Sequence, residues 1–150
     1  MESAFNTQAF KTIAFAHFHA CQEAIGGDAG CFALKTDDGR ECFFLFFPDG
    51  GFSFTGAFCK PSCVAELFDR VYTNRLPEYQ NTISSCTWPD LFPAADVRSR
   101  NVLTAPLIFE DDVIGLFCLV SHSRDFTKAD IRLVSVLCDL TVIALHEAQL

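Results

Sequence analysis

Basic residues are scarce in this chain: lysine and arginine together number 11 against 19 acids, a formal net charge of −8. Binding to phosphate backbones or anionic lipid needs a basic surface, so this balance argues against nucleic acid and membrane partners. Long hydrophobic runs are lacking too, and nothing approaches the roughly 20 apolar residues of a spanning helix. The start, Met1-Glu2-Ser3, is acidic and has no basic stretch of the kind that opens a secretory signal. A soluble, cytoplasmic protein without membrane insertion is the expectation. Ser-His-Asp, HExxH, P-loop and GxGxxG arrangements are all missing, so no catalytic residues are predicted. Zinc needs four ligands, and the one local thiol pair, Cys59 and Cys63, has no second Cys/His pair at compatible spacing. No metal centre is predicted either.

What is abundant is phenylalanine. The 150 residues include 17 Phe and are half hydrophobic, enough for a single domain over residues 1–150 with a substantial core. The 8 cysteines would suggest disulfides in a small secreted chain. Here, however, Cys31, Cys42, Cys118 and Cys138 stand inside apolar periods where Val or Ala would serve. That is how free buried cysteine behaves, so reduced thiols are the reading.

The apolar periods outline the elements. Phe10, Ile13, Ala14, His17, Cys21 and Ala24 recur at helical spacing over residues 6–25, and Gly26-Gly27 stops the helix. Phe5, Phe15 and Phe18 lie partly off that stripe, while His17 and His19 read as packing or rim residues. Residues 29–35 and 41–47 form a hairpin about Asp37-Asp38-Gly39, and a third strand over 52–58 follows the turn Pro48-Asp49-Gly50-Gly51. Cys42-Phe43-Phe44-Leu45-Phe46-Phe47 does not alternate with polar residues, nor does Leu116-Phe117-Cys118-Leu119-Val120. A strand with one wet face would alternate, so both faces of the sheet must be covered. Terminal helices cover one. Residues 60–100 are the candidate for the other. They open with a helix at Pro61 bearing Val64, Leu67, Phe68, Val71 and Tyr72 on one stripe. After Asn74 the segment becomes irregular, with Pro77, Pro89 and Pro93, and reads as a lid anchored by Tyr79, Ile83, Trp88, Leu91 and Phe92.

The last fifty residues are the most explicit. Two β-rich runs, 102–109 and 113–120, flank Glu110-Asp111-Asp112 and suit an antiparallel pair. Thr127 caps a helix with Asp130 reaching back, and Phe126 and Ile131 are spaced as a hydrophobic staple. The helix then carries two apolar stripes. One holds Ile131, Val134, Leu137, Cys138, Thr141 and Leu145; the other holds Leu133, Val136, Leu140, Ile143 and Ala144. One stripe lies on the sheet, and the other packs on the N-terminal helix, a second copy, or both.

The string NVLTAPLIFEDDVIGLFCLVSHSRDFTKADIRLVSVLCDLTVIAL resembles the C-terminal half of a GAF domain, with its Pro-Leu strand, acidic turn, Val-Ile-Gly strand, Phe-Thr cap and long helix. The resemblance implies an α+β, PAS-like fold. Its central antiparallel sheet has about five to six strands, with the N- and C-terminal helices on one face. A helix-plus-loop lid over about 60–100 lies on the other. It also implies a small-molecule sensing or dimerisation module, often part of a longer signalling protein, with any ligand held between lid and sheet. Candidate pocket residues are Tyr79, Trp88, Asp90, Asp96, Arg98, Arg100, Thr104 and Cys118, with the two arginines suited to a carboxylate or phosphate. Family members that bind cyclic nucleotide carry Asn-Lys upstream of Phe-x3-Asp-Glu; here Ser121-His122 and Ile131 depart from that pattern. Bilin-binding members commonly have a Cys-His pair in the lid, and Thr87 follows Cys86 here. The members that reduce free methionine sulfoxide use a Cys in the loop before the Pro-Leu strand, and 94–101 has none. The cofactor is therefore left unassigned. Three readings stay open: a ligand sensor signalling through its terminal helices, a ligand-free homodimerisation module, and a thiol redox sensor or enzyme using Cys59 and Cys63.

Overall fold

β1 (Ala29–Lys35) pairs antiparallel with β2 (Glu41–Phe46), Cys31 opposite Leu45, and β2 pairs in turn with β3 (Phe52–Thr55). These hairpin strands belong to a computed structural model that describes residues 7–35, 41–46, 52–55, 62–81, 101–121 and 124–148. On the other side of β1 lies β6 (Asp112–Ser121), which pairs with β5 (Asn101–Phe109) and through it with β4 (Glu78–Gln80). The six-stranded sheet thus runs β3-β2-β1-β6-β5-β4, antiparallel at every pairing. At Gly115 the β6 backbone approaches β1 so closely that an added Cβ would lie 2.3 Å from the Ala33 carbonyl oxygen. Only glycine fits there, which explains the glycine of the Val-Ile-Gly strand.

Three helices complete the described chain: α1 (Thr7–Ile25), α2 (Ser62–Asn74) and α3 (Lys128–Ala148). α1 ends at Gly26, whose φ of +72° lets its N–H return to the Gln22 carbonyl at 2.9 Å. α2 stops without a glycine: Arg75 takes the left-handed conformation, φ 60°, and donates its N–H to Val71. α3 begins as its sequence dictates. The Thr127 N–H donates to Asp130 Oδ2 at 2.9 Å and the Asp130 N–H to Thr127 Oγ1 at 3.3 Å, a reciprocal cap. Phe126, just before it, is buried.

Side-chain alternation along the strands divides the core in two. Phe32, Phe44, Phe46, Leu103, Phe117 and Leu119 meet α1 and α3 on one face. Cys31, Phe43, Leu45, Val102, Leu116 and Cys118 meet Leu67, Phe68 and Val71 of α2 on the other. The sheet is covered on both sides, as its non-alternating strands require.

Three sequence expectations change. Residues after Asn74 were expected to be irregular, yet 78–80 pair with β5 as an edge strand. On α1 the buried position is Phe18 rather than Ala24, because the helix meets the sheet along Phe10, Ala14, Phe18, Cys21 and Ile25. The acidic turn has only two residues, Glu110 and Asp111, both at positive φ (49° and 71°), and Asp112 already belongs to β6.

Candidate functional site

On the α2 side, the strand register lines up one row of residues across the sheet. Glu78 of β4 is opposite Thr104 of β5, Thr104 opposite Cys118 of β6, and Cys118 opposite Cys31 of β1. Thr104 shares a face with Val102 because Leu103 and Ala105 point to the opposite core. The row is polar or thiol-bearing within an otherwise apolar layer: Ala29 and Ala33 flank Cys31 on β1, Leu116 and Val120 flank Cys118 on β6, and Val102 shares the face with Thr104 on β5. Leu67, Phe68 and Val71 of α2 pack on this same layer.

Two features give the row chemical character. Thr104 is 0% exposed, and its Oγ1 has no hydrogen-bond partner among the described residues. Burying a hydroxyl in that state costs about 1–3 kcal/mol, which a guest or water supplying one hydrogen bond would offset. At the edge of the row, Arg70 Nε donates to both carboxylate oxygens of Glu78 at 3.2 Å. This half-exposed pair ties α2 to β4 beside Thr104.

The sequence-predicted residues fall into three groups. Thr104 and Cys118 are brought together, directly opposite one another. Tyr79 is not: it pairs with Leu103 and packs with the α1/α3 core, on the far face from Thr104. The correction has a simple cause. Once residues 78–80 are a strand, alternation sends Tyr79 and Glu78 to opposite faces, and Glu78 is the one beside Thr104. Trp88, Asp90, Asp96, Arg98, Arg100 and Cys59 lie outside the described residues, while Cys63 is in the first turn of α2 with its side chain outside them. Arg70, Glu78 and Cys31 were missed by sequence reading. Only the register reveals them.

A second polar cluster lies between α1 and α3. His17 is buried, with Nδ1 2.7 Å from Thr141 Oγ1 and Nε2 3.7 Å from Cys21 Sγ and 4.0 Å from Cys138 Sγ. Its ring meets Phe117 edge-on at 4.3 Å between centroids. Burial pulls the His17 pKa down to about 4 against the opposing pull of a hydrogen bond to the Leu137 backbone, and pushes the Cys21 thiol up to about 12. The Cys138 thiol is raised as well, by burial first and then by Cys21 and Asp139. These are neutral groups in the native state: a satisfied polar plug, with no thiolate nucleophile. Among the described residues no group of three or more His, Cys, Asp or Glu is arranged to hold a metal ion. Nor is any described helix long and apolar enough to cross a membrane.

The fold and the site can now be set beside known proteins. The family model for the GAF domain matches residues 11–146. Among solved structures, the chain is similar to the GAF domain of a two-component sensor histidine kinase from Bacillus halodurans. That pair shares 13% identity and a TM-score of 0.64 over 91% of this chain and 93% of the other. A Synechocystis GAF domain in its photoproduct state gives 15% identity and a TM-score of 0.65, over 93% and 95% of the two chains. A type II free methionine-R-sulfoxide reductase from Thermoplasma acidophilum gives 16% and 0.56, over 93% and 96%. Identities this low establish a common fold and carry no activity across. No curated protein matches the chain in sequence. GAF domains are mainly sensory and regulatory signalling modules. The family match spans most of the sequence and the six-stranded sheet with its covering helices agrees with it: this chain belongs to the GAF domain family.

Proposed function

We propose that this chain is the ligand-sensing, regulatory kind of GAF module, a cytoplasmic domain that holds a small molecule against the α2 face of the sheet and signals through its terminal helices. The observation that carries this reading is the buried Thr104 Oγ1, which has no partner among the described residues. A hydroxyl kept at such cost in an apolar layer, opposite a thiol, is what a binding surface needs, mostly apolar with a few polar groups that fix orientation. Cys118, opposite it, adds a polarizable contact. From their chemistry alone, Trp88, Asp90, Asp96, Arg98 and Arg100 belong to the same proposal, the arginines suited to a carboxylate or phosphate on the guest. The buried thiols of Cys21, Cys118 and Cys138 support a reducing compartment.

Native mass spectrometry of freshly purified protein tests the reading, alongside Thr104→Val. A retained small mass that the variant loses supports it. A bare wild type, with Thr104→Val simply more stable by about 1–3 kcal/mol, would show that the hydroxyl serves no guest.

A second reading, homodimerisation, has its own support. Leu133, Val136, Leu140 and Ile143 on α3 are 37%, 56%, 59% and 54% exposed and follow one another at three- and four-residue spacing. Such a stripe is the seam of a two-helix contact. Sedimentation of wild type and Leu140→Glu decides it: the wild type should be dimeric and the variant monomeric, and a wild type monomeric at all concentrations rules the dimer out. The thiol reading at Cys59 and Cys63 rests on sequence alone and gains nothing from the described residues.

A further inference from the structure

The strands that present Glu78 and Thr104 to the α2 face each end, three residues away, in an asparagine. Asn81 follows β4 and Asn101 opens β5. Both reach across to the short stretch that leads into α3. The Asn81 side chain binds the Phe126 backbone twice: Nδ2 donates to the Phe126 carbonyl at 3.0 Å, and Oδ1 accepts the Phe126 N–H at 2.9 Å. Asn101 Nδ2 donates to the Arg124 carbonyl at 2.9 Å, and Ser121 Oγ accepts the Arg124 N–H at 3.1 Å. Arg124 continues the chain of contacts. Its guanidinium donates to both Asp130 oxygens, at 2.9 and 3.3 Å, and the same carboxylate caps α3 through the Thr127 N–H. The Arg124 side chain also passes Gly26, where α1 ends. None of these bonds is part of the regular helix or sheet ladder.

From this we infer that Asn81 and Asn101 form a coupling clamp, by which a shift of the β4–β5 strand pair on the α2 face is delivered to the first turn of α3. The inference rests on the proposed use of the α2 face as the input site, and it names the output. Both ends of the amide are used at Asn81, and the donor end at Asn101. A doubly bonded asparagine acts like one more rung of a sheet, fixing Phe126 relative to β4 in distance and direction. Phe126 is buried among core residues and sits one residue before the cap, so it cannot follow β4 without carrying Thr127 and the start of α3 with it. The bistable element that coupling needs is the reciprocal Thr127–Asp130 cap, either closed as here or opened when Phe126 is displaced.

The test uses the whole chain and no ligand, so its outcome is separable from whether any guest binds. Hydrogen exchange is followed at the Phe126, Asp130 and Ile131 amides in a double-mutant cycle. The input perturbation is Thr104→Leu, which occupies space on the α2 face, with Glu78→Gln as a milder second perturbation that releases Arg70. The clamp is opened by Asn81→Ala, and independently by Asn101→Asp, which keeps an oxygen and loses the donor. With the clamp intact, each input change should alter exchange at these amides by about fivefold or more, the lower range of allosteric coupling. With either clamp variant, exchange at the cap should already be fast and respond less than about twofold to the same input. Equal responses with and without the clamp overturn the inference, and so does an input change that never reaches these amides. Because the sensor reading is tested separately by the retained mass, equal responses here sink the clamp alone.

Discussion

Lowering the pH from 7 to 4 drives a proton onto an imidazole that the fold keeps neutral. His17 has an ordinary pKa of 6.5 when the chain is unfolded and about 4 when it is folded, because its ring is buried between α1 and α3. Between those two values the unfolded state binds more protons than the native state, so stability rises with pH across that window. The contribution is complete above 6.5 and is lost as pH falls through about 4. At about 1.4 kcal/mol per pH unit, the gap amounts to about 3 kcal/mol, a large share of a domain's net stability. Urea unfolding followed by far-UV circular dichroism at intervals from pH 7.5 to pH 4 measures it, against His17→Met as the comparison. Methionine fills similar space and has no proton to take up, and the Thr141 hydroxyl it leaves behind can bond back to a carbonyl of its own helix. The wild-type midpoint should fall by about 1–3 M urea more than that of the variant across the window, given ordinary urea slopes. Parallel curves for the two proteins would refute a neutral, buried His17.

Other substitutions test other joints of the fold. Asp130→Asn removes a carboxylate held by Arg124 and Thr127; it should cost about 1.5–3 kcal/mol in urea unfolding near neutral pH. Burial alone would raise the Asp130 pKa, but the Arg124 and Thr127 contacts outweigh it and hold it below the usual carboxylate value. The wild-type advantage over Asp130→Asn is therefore present above that usual value and shrinks as pH falls below it. Gly115→Ala places a methyl against the Ala33 carbonyl oxygen and should lower stability by about 1–3 kcal/mol, read as a fall in the melting temperature. Cys21 and Cys138, buried and with raised pKa values, should resist iodoacetamide at pH 8 in the folded protein and react on unfolding, as peptide mass mapping would report.

What the sequence made legible was local or periodic. The α3 cap needs only Thr127 and Asp130 three residues apart, and the two α3 stripes separate into a buried set with Val134, Cys138 and Leu145 and an exposed set with Val136, Leu140 and Ile143. The unbroken apolar run of β2 required cover on both faces, and it has it. What escaped was non-local. Three residues of β4 carry no period of their own and become a strand only because β5 offers an edge. Without that pairing, Tyr79 reads as a lid anchor. Asn81 and Asn101 look like loop residues until Phe126 is brought beside the first from 45 positions away and Arg124 beside the second from 23. Thr104 was found for its place near the proposed lid, but only the packed structure gives it an unpartnered hydroxyl.

The two faces of the sheet are built from different materials, and this decides how a disturbance on one reaches the other. On the α1/α3 side, rings lie against rings: Phe10 and Phe44 at 4.1 Å, Phe32 and Phe117 at 4.8 Å, Phe18 and Phe46 at 5.0 Å between centroids. A layer packed this way has low compressibility and moves as a body or not at all. On the α2 side the central row is made of short side chains, Thr104, Cys118 and Cys31, which present little for a neighbour to grip. A displacement arising there meets stiff packing directly behind the sheet, and the aromatic layer cannot absorb it by yielding. The remaining route is along β4 and β5 to their ends, where Asn81 and Asn101 hold the stretch that leads into α3 by hydrogen bonds to its backbone. On the proposed clamp, the first turn of α3 is where a shift of the α2 face arrives, and the helix that begins there carries the exposed Leu133–Val136–Leu140–Ile143 stripe.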